Sequence, residues 1–254
     1  MNFKIIAIAL LGLGVAGCQT TTTYTAPSTA KYTHKIFGGD NTLKSTSRPS
    51  LVSTKNFYSN GETVARVQAI RTSHGVHLEV LGSYDHGLGE EIERLKNRYK
   101  INNAYLWSGG GLVTEGIESS ISMRYDAVRT HVLNGTYCAS SCTLTFIGGT
   151  NRKIHGDATI RVHAPFVFNV DGCITCESRY SPVGKYWEEF SSFMIGNYAG
   201  KRFTDATFSR CSLDNLVEFD ARDTWLQQPN YNASVTPKNI VDVKSFIKSS
   251  EGLR

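Results

Sequence analysis

The chain has 254 residues, of which 40% are hydrophobic and 19% charged, with a formal net charge of +5. That length suits one domain with a sizeable core once a leader is set aside. Lysine and arginine are scattered, not clustered, which argues against nucleic acid as a partner.

Met1-Asn2-Phe3-Lys4 is a short basic start, and Ile5 to Val15 is an apolar run too short to span a bilayer permanently. The run ends in Val15-Ala16-Gly17-Cys18. This end resembles the lipobox of bacterial lipoproteins. The resemblance implies cleavage before Cys18, acylation of Cys18, and residues 1–17 as signal peptide. Acyl chains on one terminal residue give stable anchoring when more than one is present. Gln19, not aspartate, follows the cysteine. By the same resemblance this implies a cell-envelope protein on the outer membrane, facing the periplasm. Residues 18–35 then form the lipidated cysteine and a Thr/Ser-rich tether. Residues 36–254 form one domain.

Beyond Cys18 five cysteines remain: Cys138, Cys142, Cys173, Cys176 and Cys211. An oxidising compartment makes disulfides the default, and an odd count leaves one thiol over. Cys173-x-x-Cys176 has no second C-x-x-C and no histidine-rich partner, so a structural disulfide is expected there. No metal or cofactor is expected.

In chain order, Val76, Leu78 and Val80 alternate with His77 and Glu79 as in a strand. Leu88, Ile92, Leu95 and Tyr99 fall at helical spacing. Ala104 to Trp107 is a short strand, and Ser108-Gly109-Gly110-Gly111 a loop behind it. Ile117, Ile121, Tyr125 and Val128 mark a second helix, and Thr130 to Leu133 the next strand. Asn134-Gly135 then turns the chain into Tyr137-Cys138-Ala139-Ser140-Ser141-Cys142, with a helix from Cys142 to Ile147. Ile160 to His163 is a strand and Val183 to Tyr198 a long helix. Thr236-Pro237 reads as a helix start ahead of the Ile240, Val243 and Ile247 stripe. Alternation of strand and helix predicts an α/β domain with a mostly parallel sheet.

In such sheets ligands gather at the carboxyl ends of strands. The glycine loop and the Ser140 elbow both fall there. Acyl transfer needs a nucleophile, a base and donors for the oxyanion. Ser140 supplies the first, at a strand-to-helix turn with a helix N-terminus beneath it. His163 supplies the second. The backbone amides of Ser141, Gly110 and Gly111 are the candidate oxyanion hole, since a glycine lets a substrate carbonyl come close.

Residues 76–165 resemble the core of the Clp protease proteolytic subunit and its relatives, the ClpP/crotonase superfamily. The resemblance rests on Ser108-Gly109-Gly110-Gly111, the Cys138-Ala139-Ser140 elbow and Val162-His163-Ala164-Pro165. It is closer still to envelope members with a Cys-Ala-Ser-x-Cys elbow. It implies a single-domain α/β fold, a spiral of β-β-α units, and a Ser-His-Asp serine peptidase. The acid follows the long helix in the family. Arg222-Asp223-Thr224-Trp225-Leu226 matches that segment, so Asp223 is the candidate and Asp220 the reserve. Cys138 and Cys142 flank the elbow, which the protease itself lacks. A disulfide between them would staple the turn, with a redox gate as the lesser alternative. A Ser-Lys dyad, as in signal peptide peptidase A, is a further option; Lys185 lies downstream, but its surroundings match no motif.

The leading expectation is an envelope-anchored serine peptidase acting on peptides or unfolded envelope proteins. The alternative is a non-catalytic binding or scaffold lipoprotein of the same fold. Acyl-CoA chemistry is a weak third, because coenzyme A is cytoplasmic. The expected partners are a peptide or protein substrate and the membrane, reached through Cys18. Assembly into an oligomer is left open.

Overall fold

The computed structural model describes residues 50–168, 174–212 and 214–229. The signal, the tether, Cys18, Cys173 and the expected helix at Ile240–Ile247 lie outside the described residues. Among the described residues no helix is long and apolar enough to cross a membrane.

The sheet begins earlier than expected. β1 (Ser50–Ser59), β2 (Glu62–Thr72) and β3 (Gly75–Tyr84) form an antiparallel meander. Asn60-Gly61 joins β1 to β2, a pairing suited to a two-residue hairpin turn. From β3 onward the chain crosses over helices and pairs in parallel. α1 (Leu88–Arg98) buries Leu88, Ile92 and Leu95, the stripe its spacing predicts. β4 (Ile101–Gly111) then lies parallel to β3. α2 (Val113–Tyr125) returns to β5 (Arg129–Val132). β6 (Tyr137–Ala139), α3 (Ser141–Gly148), β7 (Asn151–Ile154) and β8 (Thr159–Val162) follow.

β4 is the spine of the domain. Its first half pairs with β5, which pairs in turn with β7. Its second half pairs with β6 through Ser108 and Cys138, and β6 pairs with β8. All these pairings are parallel. β11 (Val217–Phe219) closes the far edge antiparallel to β8. The α/β class and mostly parallel sheet therefore hold, with antiparallel strands added at both edges.

Residues 108–111, expected as a loop, are the carboxyl end of β4. The long helix expected over Val183–Tyr198 is two helices, α4 (Pro182–Ile195) and α5 (Asn197–Phe208). Gly196 divides them at φ +89°, a conformation few other residues adopt without strain. β9 (Phe166–Phe168) and β10 (Ile174–Cys176) make a small separate ribbon.

The core lies between the sheet and α1–α3, where Leu78, Val80, Ala104, Leu106, Val132 and Phe146 are buried. α3 is buried along its whole length. α2 meets its first turn at Gly116, where any side chain would strike the Ser141 carbonyl at 2.5 Å. The elbow thus rests on a packed, not a mobile, foundation.

Near the chain's end, the buried guanidinium of Arg152 donates from Nε to the Leu226 carbonyl at 2.7 Å and from Nη1 to the Gly149 carbonyl at 2.6 Å. It also donates from Nη2 to the Gln228 carbonyl. These bonds tie α6 (Thr224–Gln227) to β7. Burial pulls the guanidinium down to about 9. A partner for a buried charge is close to obligatory, and here three carbonyls supply it.

Candidate active site

Ser140 stands between the end of β6 and the first residue of α3. Its backbone has φ +53° and ψ −128°, and it is one of three described non-glycine residues with positive φ. Residues held this way cost of order 1–3 kcal/mol and persist where the surroundings over-determine them. Three features do so here. The Ser140 amide donates to the Arg161 carbonyl at 2.9 Å. The Ser140 carbonyl accepts from the Thr143 amide and hydroxyl, at 2.9 and 2.6 Å. A Cys138–Cys142 disulfide spans the turn, both cysteines fully buried.

The two adjacent serines separate clearly. Ser140 is half-buried, whereas Ser141, whose Cβ packs beside Gly116, is 1% exposed and its Oγ has no hydrogen-bond partner. The hydroxyl available at the elbow is therefore that of Ser140. The Ser141 amide occupies the first helical position, where helix geometry leaves N–H groups unpaired.

The glycine strand end approaches the same point. A Cβ on Gly110 would fall 2.4 Å from the Ser140 Cβ, and Gly110 has φ +100°. The Gly110 amide donates to Ser108 Oγ at 2.9 Å, so that N–H is turned inward. Gly111 is pressed against the Tyr84 backbone, with a would-be Cβ 2.3 Å from the Tyr84 carbonyl oxygen. Of the three expected donors, the Ser141 amide is placed best, and Gly110 serves chiefly as the surface on which Ser140 rests.

His163 comes one residue after β8 ends. β6 and β8 run parallel with Ala139 opposite Arg161, so Ser140 and His163 leave neighbouring strands at the same end. His163 is 6% exposed, and its ring lies against Phe166 at 5.3 Å between centroids. Nδ1–H donates to the Ala164 carbonyl at 2.8 Å. That bond leaves Nε2 with the lone pair, the tautomer a general base needs. Burial pulls the imidazole below its ordinary value, opposed by the bond to Ala164. The neutral ring is therefore the resting form. Among the described residues no hydrogen bond yet joins Ser140 Oγ to the ring.

Asp223 is not brought to this site, which corrects the expectation of it as the acid. β11 runs antiparallel to β8, with Val217 opposite Val162 and Phe219 opposite Ile160. The chain beyond Phe219 therefore moves away from His163, toward the amino end of β8. There Asp223 Oδ2 accepts from the Asp220 amide at 3.0 Å and Oδ1 from Trp225 Nε1 at 3.1 Å. The reserve, Asp220, pairs with Arg222 through bonds of 3.0 Å to its Nε. Arg152, by fixing α6 on β7, holds the whole segment at that distant end. Lys185 is exposed in the first turn of α4.

The Cys173–Cys176 disulfide is corrected as well. Cys176 bonds to Cys211, closing β10 onto the segment after α5. Sequence spacing favours the near neighbour, but chain path decides: the Ala164 amide donates to the Arg210 carbonyl at 2.9 Å and sets the two segments side by side. The Ala164 carbonyl was not foreseeable as the ring's partner, because a backbone oxygen has no residue-type signature.

No family model and no curated protein matches the chain. Among solved structures, a mutant of the 1510-N membrane-bound stomatin-specific protease is similar at TM-score 0.46 and 8% identity, over 66% of this chain and 81% of that one. A second mutant of that protease, in complex with a substrate peptide, has TM-score 0.42 and 10% identity, over 62% and 75%. ClpP1 from Listeria monocytogenes has TM-score 0.39 and 12% identity, over 56% and 81%. At such scores and identities the likeness carries nothing about activity.

Proposed function

We propose that the chain is a serine hydrolase acting on peptide bonds, with Ser140 as nucleophile and His163 as base. The observation that carries this is the Ser140 backbone at φ +53°, held between a strand end and a buried helix. Such an elbow exposes a hydroxyl over unpaired helix amides, where an acyl carbonyl can be attacked and its oxyanion received.

Ser140 Oγ attacks the scissile carbonyl as its proton passes to His163 Nε2. The oxyanion is received by the Ser141 amide, a donor typically worth about 3 kcal/mol of barrier. His163 then returns the proton to the leaving amine. Water hydrolyses the acyl-enzyme by the reverse sequence. The Ala164 carbonyl holds Nδ1–H throughout, doing the orienting that a carboxylate does elsewhere, but without negative charge to stabilise the imidazolium. Slow turnover follows from that difference.

A second reading is favoured by the absence of a Ser140–His163 hydrogen bond and by the inward Gly110 amide: a binding or scaffold module that keeps the elbow without turnover. A fluorophosphonate probe separates the two. Labelling of the wild-type protein that disappears in Ser140→Ala supports the hydrolase. Labelling that survives the substitution sinks it.

The envelope location belongs to the same proposal. Its support is the sequence before and at Cys18, read as a lipid-anchored protein facing the periplasm of a diderm bacterium. Incorporation of labelled palmitate, lost in Cys18→Ala, tests it.

A further inference from the structure

The sheet has a second face, away from the helices, and its polar lining takes no part in the elbow. Parallel register sets Glu79, Tyr105, His131 and Lys153 in one row across β3, β4, β5 and β7. The row before it contains Asn103, Arg129 and Asn151. A cavity of about 360 Å³ opens here, lined by His74, His77, Asn103, Arg129, His131 and His155 among others. That volume lies in the range of small-molecule sites.

The side chains form a chain of bonds whose directions are mutually fixed. Asn103 Oδ1 accepts from His131 Nε2 at 3.1 Å, and Asn103 Nδ2 donates to His77 Nδ1 at 3.4 Å. His77 Nε2–H therefore donates to Thr72 Oγ1 at 2.8 Å. His131 Nδ1 is left as an acceptor, 3.1 Å from His155 Nε2. Every ring in this chain is neutral, and the outward nitrogen of His155 is an unused acceptor.

The local field is positive. Burial, then repulsion from Arg129 and Lys153 and from His155 and His77 when they are protonated, pushes His131 down to about 3. Burial lowers His77, aided by His74, and lowers His155, aided by Lys153. No carboxylate lines the cavity. Glu79, in the same row as His131 but two strands away, is fully buried against Gln68, and burial raises it to about 7, against the pull of the Gln68 hydrogen bond and of Arg66. Tyr105 beside it is pushed up by burial. A cation would meet Arg129 and Lys153, and among the described residues no three metal-ligating side chains are gathered.

We propose that this cavity binds a small oxyanion, a carboxylate or phosphate group, between Arg129 and the His131–His155 pair, and that the pair takes up one proton from solvent as it binds. The proton enters at the outward nitrogen of His155, and the existing bond from His155 Nε2–H to His131 Nδ1 is kept, so no hydrogen bond is lost. The anion offsets the repulsion that keeps the empty site neutral. Occupancy thus follows acidity.

The test is calorimetric titration of the full chain with sulfate and with an organic disulfonate, whose charges are constant over the range used. Titrations at about pH 6 and about pH 8, in buffers of different ionisation heat, read affinity and proton uptake together. Binding about tenfold tighter at the lower pH, with uptake near one proton, is expected. Arg129 is exposed, so Arg129→Gln should weaken binding about tenfold without change in melting temperature. His155→Gln should abolish the uptake while Arg129→Gln keeps it. Tighter sulfate binding would point to a phosphate ligand, and tighter disulfonate binding to a dicarboxylate. No binding of either anion, binding unchanged in Arg129→Gln, or binding of zinc in place of the anions would overturn the proposal. None of these readouts depends on the serine.

Discussion

Gly110 and Ser140 are in such close contact that a side chain on one would displace the other: a Cβ at Gly110 would stand 2.4 Å from the Ser140 Cβ and 3.0 Å from its Oγ. Gly110→Ala is therefore expected to push the Ser140 side chain out of place. A misplacement of about 1 Å can cost about a hundredfold in rate. Fluorophosphonate labelling of Gly110→Ala should fall by that order while circular dichroism shows a folded protein. Full-rate labelling would show that the contact does not set the geometry.

Ser140 itself holds strain that glycine would release. Ser140→Gly is expected to raise unfolding free energy by about 1 kcal/mol, since relief of the positive φ outweighs the added chain entropy. Ser140→Ala keeps the conformation and should not gain. Denaturant melts of the two variants, side by side, check the difference, and both should lose the label.

Asp223 is expected to matter for stability and not for labelling. Its carboxylate accepts from the Asp220 amide and from Trp225 Nε1. Asp223→Ala should cost about 1–2 kcal/mol through those lost bonds. Labelling by the serine probe should stay at the wild-type rate. A large loss would place the acid back in the mechanism.

Acid should switch off both reactivity and stability. The His163 imidazole is lowered by burial, so the ring, the proposed base, stays neutral to pH values below the ordinary imidazole range. Labelling is then flat above about pH 6.5 and falls only below it. For stability, the folded state holds His77, His131, His155 and His163 below their ordinary values, so the unfolded chain binds more protons on acidification. That contribution is fully present above the unfolded value and is lost as pH falls below it. Melting temperature should drop from about pH 6.5 downward, and less steeply in His131→Gln. A melting temperature independent of pH would refute this.

The Cys138–Cys142 disulfide closes only a short loop, so its entropic effect on folding is small, about 2 kcal/mol. Its larger effect should be on the turn between the cysteines. The double variant Cys138→Ala and Cys142→Ala is expected to remain folded at 25 °C and to label about tenfold more slowly. Equal labelling rates would reduce the bond to a staple of stability alone.

Much of the fold was legible because its parallel half obeys simple periods. The Leu88–Leu95 stripe buries the face its spacing predicts, and Val76, Leu78 and Val80 are buried as expected, although His77 and Glu79 between them are buried too. In the second helix Ile117 and Ile121 are buried, whereas Tyr125 of the same expected stripe is exposed and Val128 falls beyond the helix. β1 and β2 were less visible. β1 lies at the sheet edge with most of its residues exposed, so little apolar alternation marks it, although Asn60-Gly61 is a hairpin signal. Gly196 splits one apparent helix because a stripe of aromatics continues past a residue whose backbone does not.

The placement of Ser140 and His163 at neighbouring strand ends could be read because each follows a recognisable strand. Asp223 was misplaced because a short motif says nothing about strand direction, and β11 runs opposite to its neighbour. Cys176 found Cys211 for a similar reason. Pairing over 35 residues is set by how segments lie together, not by local spacing.

The fork in β4 separates the molecule's two chemical regions along one strand. Asn103 faces the histidine cavity and Gly110 supports Ser140, about 23 Å apart at the rise of an extended chain. Residues this far apart with no shared partner contribute independently to free energy. The effects of Arg129→Gln and Gly110→Ala should therefore sum in a double-mutant cycle. Either end of the strand can then be redesigned, or drift in sequence, without compensation at the other.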